Sequence, residues 1–279
     1  MQDAPDFTPR RIRLLTYNVH SCRGTDGKVD PLRIADVIAR CEADIVALQE
    51  LDVGRMRTGG VDQAQIIASH LNAVSHFHPA FHLEDEQYGD AILTALPSRL
   101  VKAGPLPSIG EPRGAIWVSV DVGGTELQVI NTHFGLRRRE RANQATTLLG
   151  PGWLGSAACR DAPCVLLGDF NAVPSSVVYR MFARGMRDVQ MRDGSRARAT
   201  FPSRFPLLRL DHIFAGDCVV PLQAEVVSNL RTRTASDHLP LLATVEITAP
   251  RSGGKLGARA GSAVVAPVDG ADGAVQAPS

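Results

Sequence analysis

The sequence predicts an α/β fold, and three observations carry that expectation. Short apolar runs such as Ile45-Val46-Ala47-Leu48 and Val165-Leu166-Leu167 read as strands covered on both faces. Between such runs lie stretches of helical spacing, as at Ile34, Val37, Ile38 and Cys41. The strands also end on carboxylates, amides and imidazoles, which is where a sheet protein builds a site.

Taken in order, residues 12–18 alternate apolar and polar and form a first strand ending at Asn18. Asp30 caps a helix that Pro31 opens. Residues 44–50 make a second strand, ending on Gln49-Glu50, and a basic loop at 53–60 leads to a helix from Asp62 through Ile66, Ile67, Ala68 and Leu71. Residues 76–86 carry three histidines and several carboxylates. Their irregular ligand spacing reads as a solvated loop and not as a metal site.

Strands follow at 91–96, 115–121 and 126–131, the last two joined by the hairpin signal Val122-Gly123-Gly124-Thr125. The helix predicted over 138–149 has a basic first turn, Arg137, Arg138, Arg139 and Arg141, where positive charge opposes the helix dipole. Either an anion attracts that charge or it is a solvated face beside Glu140. The central strand delivers Gly168-Asp169-Phe170-Asn171, and a helix is expected over 175–186. Residues 192–209 are basic with Phe201 and Phe205 interleaved, a phosphate-contacting loop or a surface excursion. Strands at 210–214, 218–227 and 239–247 complete the body, with Ser236-Asp237-His238 between the last two.

Composition narrows the class. With 279 residues and 44% hydrophobic content, the chain can bury a large core, and no run approaches the roughly 20 apolar residues of a membrane span. Without a secretion signal at its start, it is expected in the cytoplasm, as a monomer. Five cysteines without CxxC spacing argue against a disulfide framework or zinc. A net charge of +1 gives no compositional support for a polynucleotide partner.

The motifs Thr16-Tyr17-Asn18-Val19, Leu48-Gln49-Glu50, Tyr88-Gly89-Asp90-Ala91, Asn131-Thr132-His133, Gly168-Asp169-Phe170-Asn171, Leu210-Asp211-His212-Ile213 and Ser236-Asp237-His238-Leu239-Pro240 occur in that order. Their set resembles the endonuclease/exonuclease/phosphatase superfamily, the DNase I-like metal-dependent phosphoesterases, over about residues 11–248. The resemblance implies a four-layer α/β sandwich, two mixed sheets face to face with helices outside. The catalytic domain is thus expected at 11–248, while composition alone predicts a flexible N-terminus at 1–10 and a disordered Gly/Ala/Pro-rich tail at 249–279.

Phosphodiester hydrolysis needs an activated water, charge neutralisation at the phosphoryl oxygens and help for the leaving alkoxide. Hard oxygen ligands suit Mg²⁺ or Mn²⁺. On the resemblance, Glu50 binds the metal with Asn18 and Asp237. His238 is the general base or phosphate-polarising histidine, oriented by Asp211, while Asp169 handles the water and Asn171 the phosphoryl oxygen. His133 faces the leaving group, Tyr88 and Arg113 contact phosphate, and His212 supports Asp211. Position 90 holds Asp where many members have Asn. The expected activity is a nuclease-like phosphodiesterase, with nucleic acid ranked above phospholipid. A sphingomyelinase-type lipid phosphodiesterase is the alternative, followed by a 5-phosphatase, whose further basic signatures are missing. A catalytically dead binding module would predict a lost residue among Glu50, Asp169, Asn171, Asp237 and His238.

Overall fold

In strand β1 (Arg10–Asn18), Ile12 and Leu14 join one buried cluster while Leu15 and Tyr17 join another, the period-two alternation of a strand with both faces covered. The computed structural model describes residues 9–191 and 197–248. β1 lies parallel to β2 (Ile45–Val53) and antiparallel to β12 (Leu241–Ile247). With β3 (Val74–Leu83), β4 (Glu86–Thr94) and β11 (Val219–Val226), they form a six-stranded sheet in the order β11-β12-β1-β2-β4-β3.

The second sheet is built from β5 (Ser98–Leu106), β6 (Arg113–Asp121), β7 (Glu126–His133), β8 (Cys164–Asp169), β9 (Arg187–Asp188) and β10 (Asp211–Ala215). Its order is β5-β6-β7-β8-β10-β9, with β7 and β8 parallel. Ile12, Leu14, Ile45 and Ile92 of the first sheet pack against Ile116, Val129, Leu167 and Ile213 of the second in one central core. Helices α1 (Pro31–Ala39) and α2 (Gln63–His70) cover the outer face of the first sheet through Ile34, Val37, Ile38 and Ile67. Helices α3 (Arg138–Leu149) and α5 (Val177–Ala183) cover the second through Ala145, Leu148 and Phe182. Short helices α4 (Ala157–Arg160) and α6 (Leu230–Ala235) fill connections. The architecture is the four-layer α/β sandwich. Among the described residues, no helix is long and apolar enough to cross a membrane.

Asp30 and Asp62 cap α1 and α2 by accepting the backbone N–H groups of Arg33 and Gln65, as their positions predict. Other expectations are corrected. Residues 76–86 are not a solvated loop but most of the β3–β4 hairpin. β3 is an edge strand with Pro79 at an irregularity, so its residues are half buried on both faces and show no clean alternation. β5, absent from the sequence reading, is the edge strand of the other sheet, and exposed Arg99 and Leu100 hide its pattern. The helix expected over 175–186 is confined to α5. Arg10, placed in the flexible N-terminus, already belongs to β1, whereas residues 1–8, 192–196 and 249–279 lie outside the described residues.

Candidate active site

Strand ends from both sheets meet at one edge of the sandwich. Register sets His133 opposite Asp169, and Asp169 opposite Asp211, so three chemical side chains stand abreast on β7, β8 and β10. Gly168 makes that alignment possible. Its φ of 144° lies in the region glycine favours, and a Cβ there would collide with the Thr132 carbonyl oxygen across the strand pair.

On the facing sheet a bulge interrupts β2. Leu48 pairs with Ala91 but Leu51 pairs with Gly89, leaving Gln49 and Glu50 opposite Asp90. Glu50 takes φ 63°, an uncommon value for a residue with a side chain. The bulge thereby sends Gln49 and Glu50 to different tasks. Glu50 lines the cleft, while Gln49 donates to Asn131 Oδ1 at 2.7 Å between the sheets. Asn131 in turn donates to the carbonyls of Leu48 and Ala91, each at 2.9 Å. These two amides, read in the sequence as part of the site motifs, are a buried clamp beneath it.

The cleft is about 410 Å³ in volume, bordered by Glu50, Tyr88, Arg113, His133, Asp169 and His238 among others. Asn18 Nδ2 donates to Glu50 Oε1 at 2.9 Å and to Asp169 Oδ2 at 3.0 Å, while its Oδ1 accepts the His20 backbone N–H at 3.0 Å. Asn18, expected among the metal ligands, thus stands at the cleft with its amide nitrogen holding two carboxylates together and its oxygen accepting from the backbone. Asp237 is partly exposed beside His20, with 3.8 Å between Oδ1 and Nδ1, and its charge reaches Glu50.

His238 Nδ1 lies 2.9 Å from Asp211 Oδ2, and its Nε2 lies 3.6 Å from Asp169 Oδ2. Burial works against protonation, but Asp211 and Asp169 outweigh it and lift the imidazole to about 10. His238 is thus a cation at neutral pH. The opposite holds for His133, which burial first, and then the charges of Arg113 and His238, push well below the usual histidine range. Arg113 Nη1 sits 3.1 Å from His133 Nδ1, and a guanidinium can only donate, so Nδ1 accepts. Nε2 lies 3.2 Å from Asn171 Nδ2, 3.6 Å from Asp169 and 3.9 Å from Glu50.

Both acids of the pair, Glu50 and Asp169, are raised above the ordinary carboxylate value, chiefly by burial and in part by neighbouring carboxylates. Asn171, at φ 47°, donates its Nδ2 to the Phe134 carbonyl at 2.9 Å and borders the cleft. Tyr88 and Arg113 are buried and hydrogen-bonded to each other, and Glu111 Oε2 meets Arg113 Nη2 at 2.8 Å. His212 is structural. Its Nε2 is 2.7 Å from the Ala172 carbonyl, within a buried network of Asp188, Arg209 and Tyr179.

Burial raises Asp90 to about 8, with Glu50 and Asp169 adding and Arg113 opposing. At neutral pH it keeps its proton and behaves as an uncharged group, which reconciles Asp here with the amide common elsewhere. An acid raised on folding contributes most stability below its unfolded value near pH 4, and that contribution is lost as pH rises through about 8. Asp90→Asn should therefore melt higher than the wild type above pH 4. The gap should widen up to about pH 8 and then level off, read as thermal midpoint against pH. A gap that does not change with pH would show that Asp90 is ionised in the folded protein.

Among the cleft residues outside the motifs are His20, Arg23, Arg57 and Phe201. Arg57 is clamped by the fully buried Asp52 through Nε at 2.8 Å and Nη2 at 2.7 Å, and it lies over the Tyr88 ring at 5.4 Å. Phe201 packs on the His238 ring with centroids 4.8 Å apart. The only signal of Arg57 in the sequence was the basic character of its loop.

A family model described as Endonuclease/Exonuclease/phosphatase family matches residues 15–238. The uncharacterized protein YbhP of Escherichia coli K12 is 26% identical over 268 residues, spanning 87% of this chain and all of that protein. Among solved structures, an endonuclease/exonuclease/phosphatase from Beutenbergia cavernae has a TM-score of 0.70 at 23% identity, covering 86% of this chain and 72% of its own. The mannosyl-6-phosphatase Bt3783 of Bacteroides thetaiotaomicron has a TM-score of 0.69 at 20% identity, covering 84% and 99%. These structural likenesses are likenesses of fold.

Proposed function

Since this chain belongs to the endonuclease/exonuclease/phosphatase family, we propose that it is a divalent-metal-dependent phosphodiesterase working at the cleft described above. The observation that carries the reading is the meeting in one cleft of His238, held by Asp211, with the half-buried Glu50 and buried Asp169, drawn together by Asn18. A binding module has no use for that arrangement, because each buried charge costs several kcal/mol unless it is compensated.

The donor set fits a small hard cation. Glu50 and Asp169 are drawn together by Asn18, Asp237 adds charge nearby, and both acids are raised because nothing fully neutralises them. Asp169, Asp211 and His238 also approach one another closely enough to ligate. There, however, Asp211 and His238 already satisfy each other, so Glu50 and Asp237 are the better holders, with Asp169 beside them. Mg²⁺ or Mn²⁺ bound there would neutralise phosphoryl charge and acidify a water.

The protein's own groups supply the rest. His238, held by Asp211 through Nδ1, presents a proton at Nε2 to a phosphoryl or leaving oxygen. Of the two sequence-based roles, phosphate polarisation fits a cationic imidazole and general base does not. Asp169, with its raised affinity for protons, is suited to accept one from the attacking water. His133, held through Nδ1 by Arg113, turns Nε2 toward the carboxylate pair and the Asn171 amide.

Purified protein with Mg²⁺ should hydrolyse the soluble diester bis(4-nitrophenyl) phosphate. Excess EDTA should lower the rate by at least ~10²-fold, and added Mg²⁺ or Mn²⁺ should restore it. Full activity in EDTA would remove the metal from the reading. Nuclease-like cleavage of nucleic acid is the substrate ranked first from the sequence; phospholipid is the second reading, favoured by the exposed apolar side chains at the mouth. Plasmid nicking that falls steeply with salt would support the first, because phosphate contacts release counterions.

A further inference from the structure

The five most exposed large apolar side chains among the described residues are Leu230 (85%), Leu207 (79%), Met56 (78%), Phe205 (77%) and Leu136 (73%). Four of them lie on segments that border the cleft, and Leu230 lies on the helix that leads into it. Leu136 lines it directly, and Met56 precedes the lining residue Arg57. Phe205 and Leu207 sit on a turn at 201–208 whose first residue, Phe201, packs on His238. Leu230 opens α6, which ends immediately before Ser236-Asp237-His238.

The turn at 201–208 is held in place. Phe201 and Leu208 are bridged, and the buried Ser203 anchors the turn: its N–H donates to the Asp237 carbonyl at 2.6 Å, and its hydroxyl reaches the carbonyls of Ser236 at 2.7 Å and Arg233 at 3.1 Å. Its apolar tip is thus fixed outward by the same residues that carry the site. Apolar surface held in water next to a cleft marks an interaction face.

Charge identifies the occupant. Arg137, Arg138 and Arg139 follow Leu136 at the N-terminus of α3, are exposed, and make no ion pair among the described residues. Their position opposes the helix dipole, so α3 itself gives no reason for them. Apolar side chains flanked by arginines suit the boundary of an anionic bilayer, where the former enter the acyl region and the latter meet head groups. A single-stranded polynucleotide would be met by aromatic rings, and four of the five side chains are Leu or Met. A protein partner seated on this rim would close the mouth to substrate.

We propose that the rim of the cleft is a membrane-docking surface that sets the mouth on an anionic phospholipid layer, so that the scissile phosphodiester is drawn from lipid. The identity of the substrate rests on the phosphodiesterase reading; the docking does not. The test is cosedimentation of the full chain with vesicles of phosphatidylcholine, alone or with phosphatidylglycerol added. The protein should bind the anionic vesicles, less strongly at higher salt, and Phe205→Ser/Leu207→Ser should weaken binding by at least ~10-fold. Both positions are exposed, so the thermal midpoint should be unchanged.

Val74 is also exposed, at the far end of the sheet, where it pairs with Thr94 and Thr94 with Ile45. Val74→Ser should leave vesicle binding intact. Failure of the wild type to bind either vesicle, equal loss in Val74→Ser, or binding to duplex DNA in place of vesicles would overturn the proposal. Hydrolysis of bis(4-nitrophenyl) phosphate without vesicle binding would sink the docking alone, and vesicle binding without hydrolysis would sink the phosphodiesterase reading alone.

Discussion

His238→Ala should lower turnover of bis(4-nitrophenyl) phosphate by about 10³-fold, the range lost when a positioned proton donor is removed. Two effects combine at this residue. The imidazolium presented toward the substrate disappears, and Asp211 and Asp169 lose the cation between them. Breaking a buried charge pair on one side costs about 3–5 kcal/mol, so circular dichroism must accompany the assay. A folded variant that retains more than a tenth of the activity would show that His238 is not the donor.

The pH dependence gives an independent reading of the same residue. A histidine raised on folding contributes stability that is fully present below its unfolded value near 6.5 and is lost as pH rises through about 10. If the cationic form is required, the alkaline limb of the rate profile belongs to His238. Asp211 is the first of the charges that raise it, so Asp211→Asn should move that limb to lower pH.

Glu50→Gln should abolish metal-dependent turnover while making the metal-free protein more stable. Glu50 is raised by burial and by the charges of Asp169 and Asp237, so its ionised form is disfavoured in the folded state. The sign follows from linkage: its contribution is greatest below its unfolded value near 4.3 and is lost as pH rises through the raised folded value. At neutral pH the carboxylate burdens the fold, and an amide of the same shape relieves it. Each kcal/mol corresponds to roughly 2–4 °C for a chain of this size.

Metal should reverse the order of the two proteins. A ligand that binds only the folded state raises its stability, so Mg²⁺ should lift the thermal midpoint of the wild type and leave that of Glu50→Gln nearly unchanged. If the variant melts lower than the wild type without metal, Glu50 is not held against a neighbouring negative charge. If both respond equally to Mg²⁺, the cation sits elsewhere.

The sequence by itself determined the α/β class, the two capped helices, the central strand ending at Asp169, and the order of motifs that identified the family. Each of these is local, since apolar period, cap chemistry and motif order are read within a few residues. The half-buried edge strands β3 and β5 were missed because edge positions lack the alternation that such a reading needs.

Tertiary structure decided the rest, because roles at the site depend on partners far away in sequence. Asn18 and Asp169 are 151 residues apart, and only their meeting shows that Asn18 holds carboxylates with its nitrogen. Gln49 and Glu50 are neighbours in one motif, yet a bulge makes one a clamp between sheets and the other a wall of the cleft. The charge of His238 and the neutrality of His133 follow from burial and from which ions stand beside each ring. The approach of Leu136, Arg57 and Phe201 to one cleft, with exposed Met56, Phe205 and Leu207 on the same segments, is likewise a property of the packed sheets.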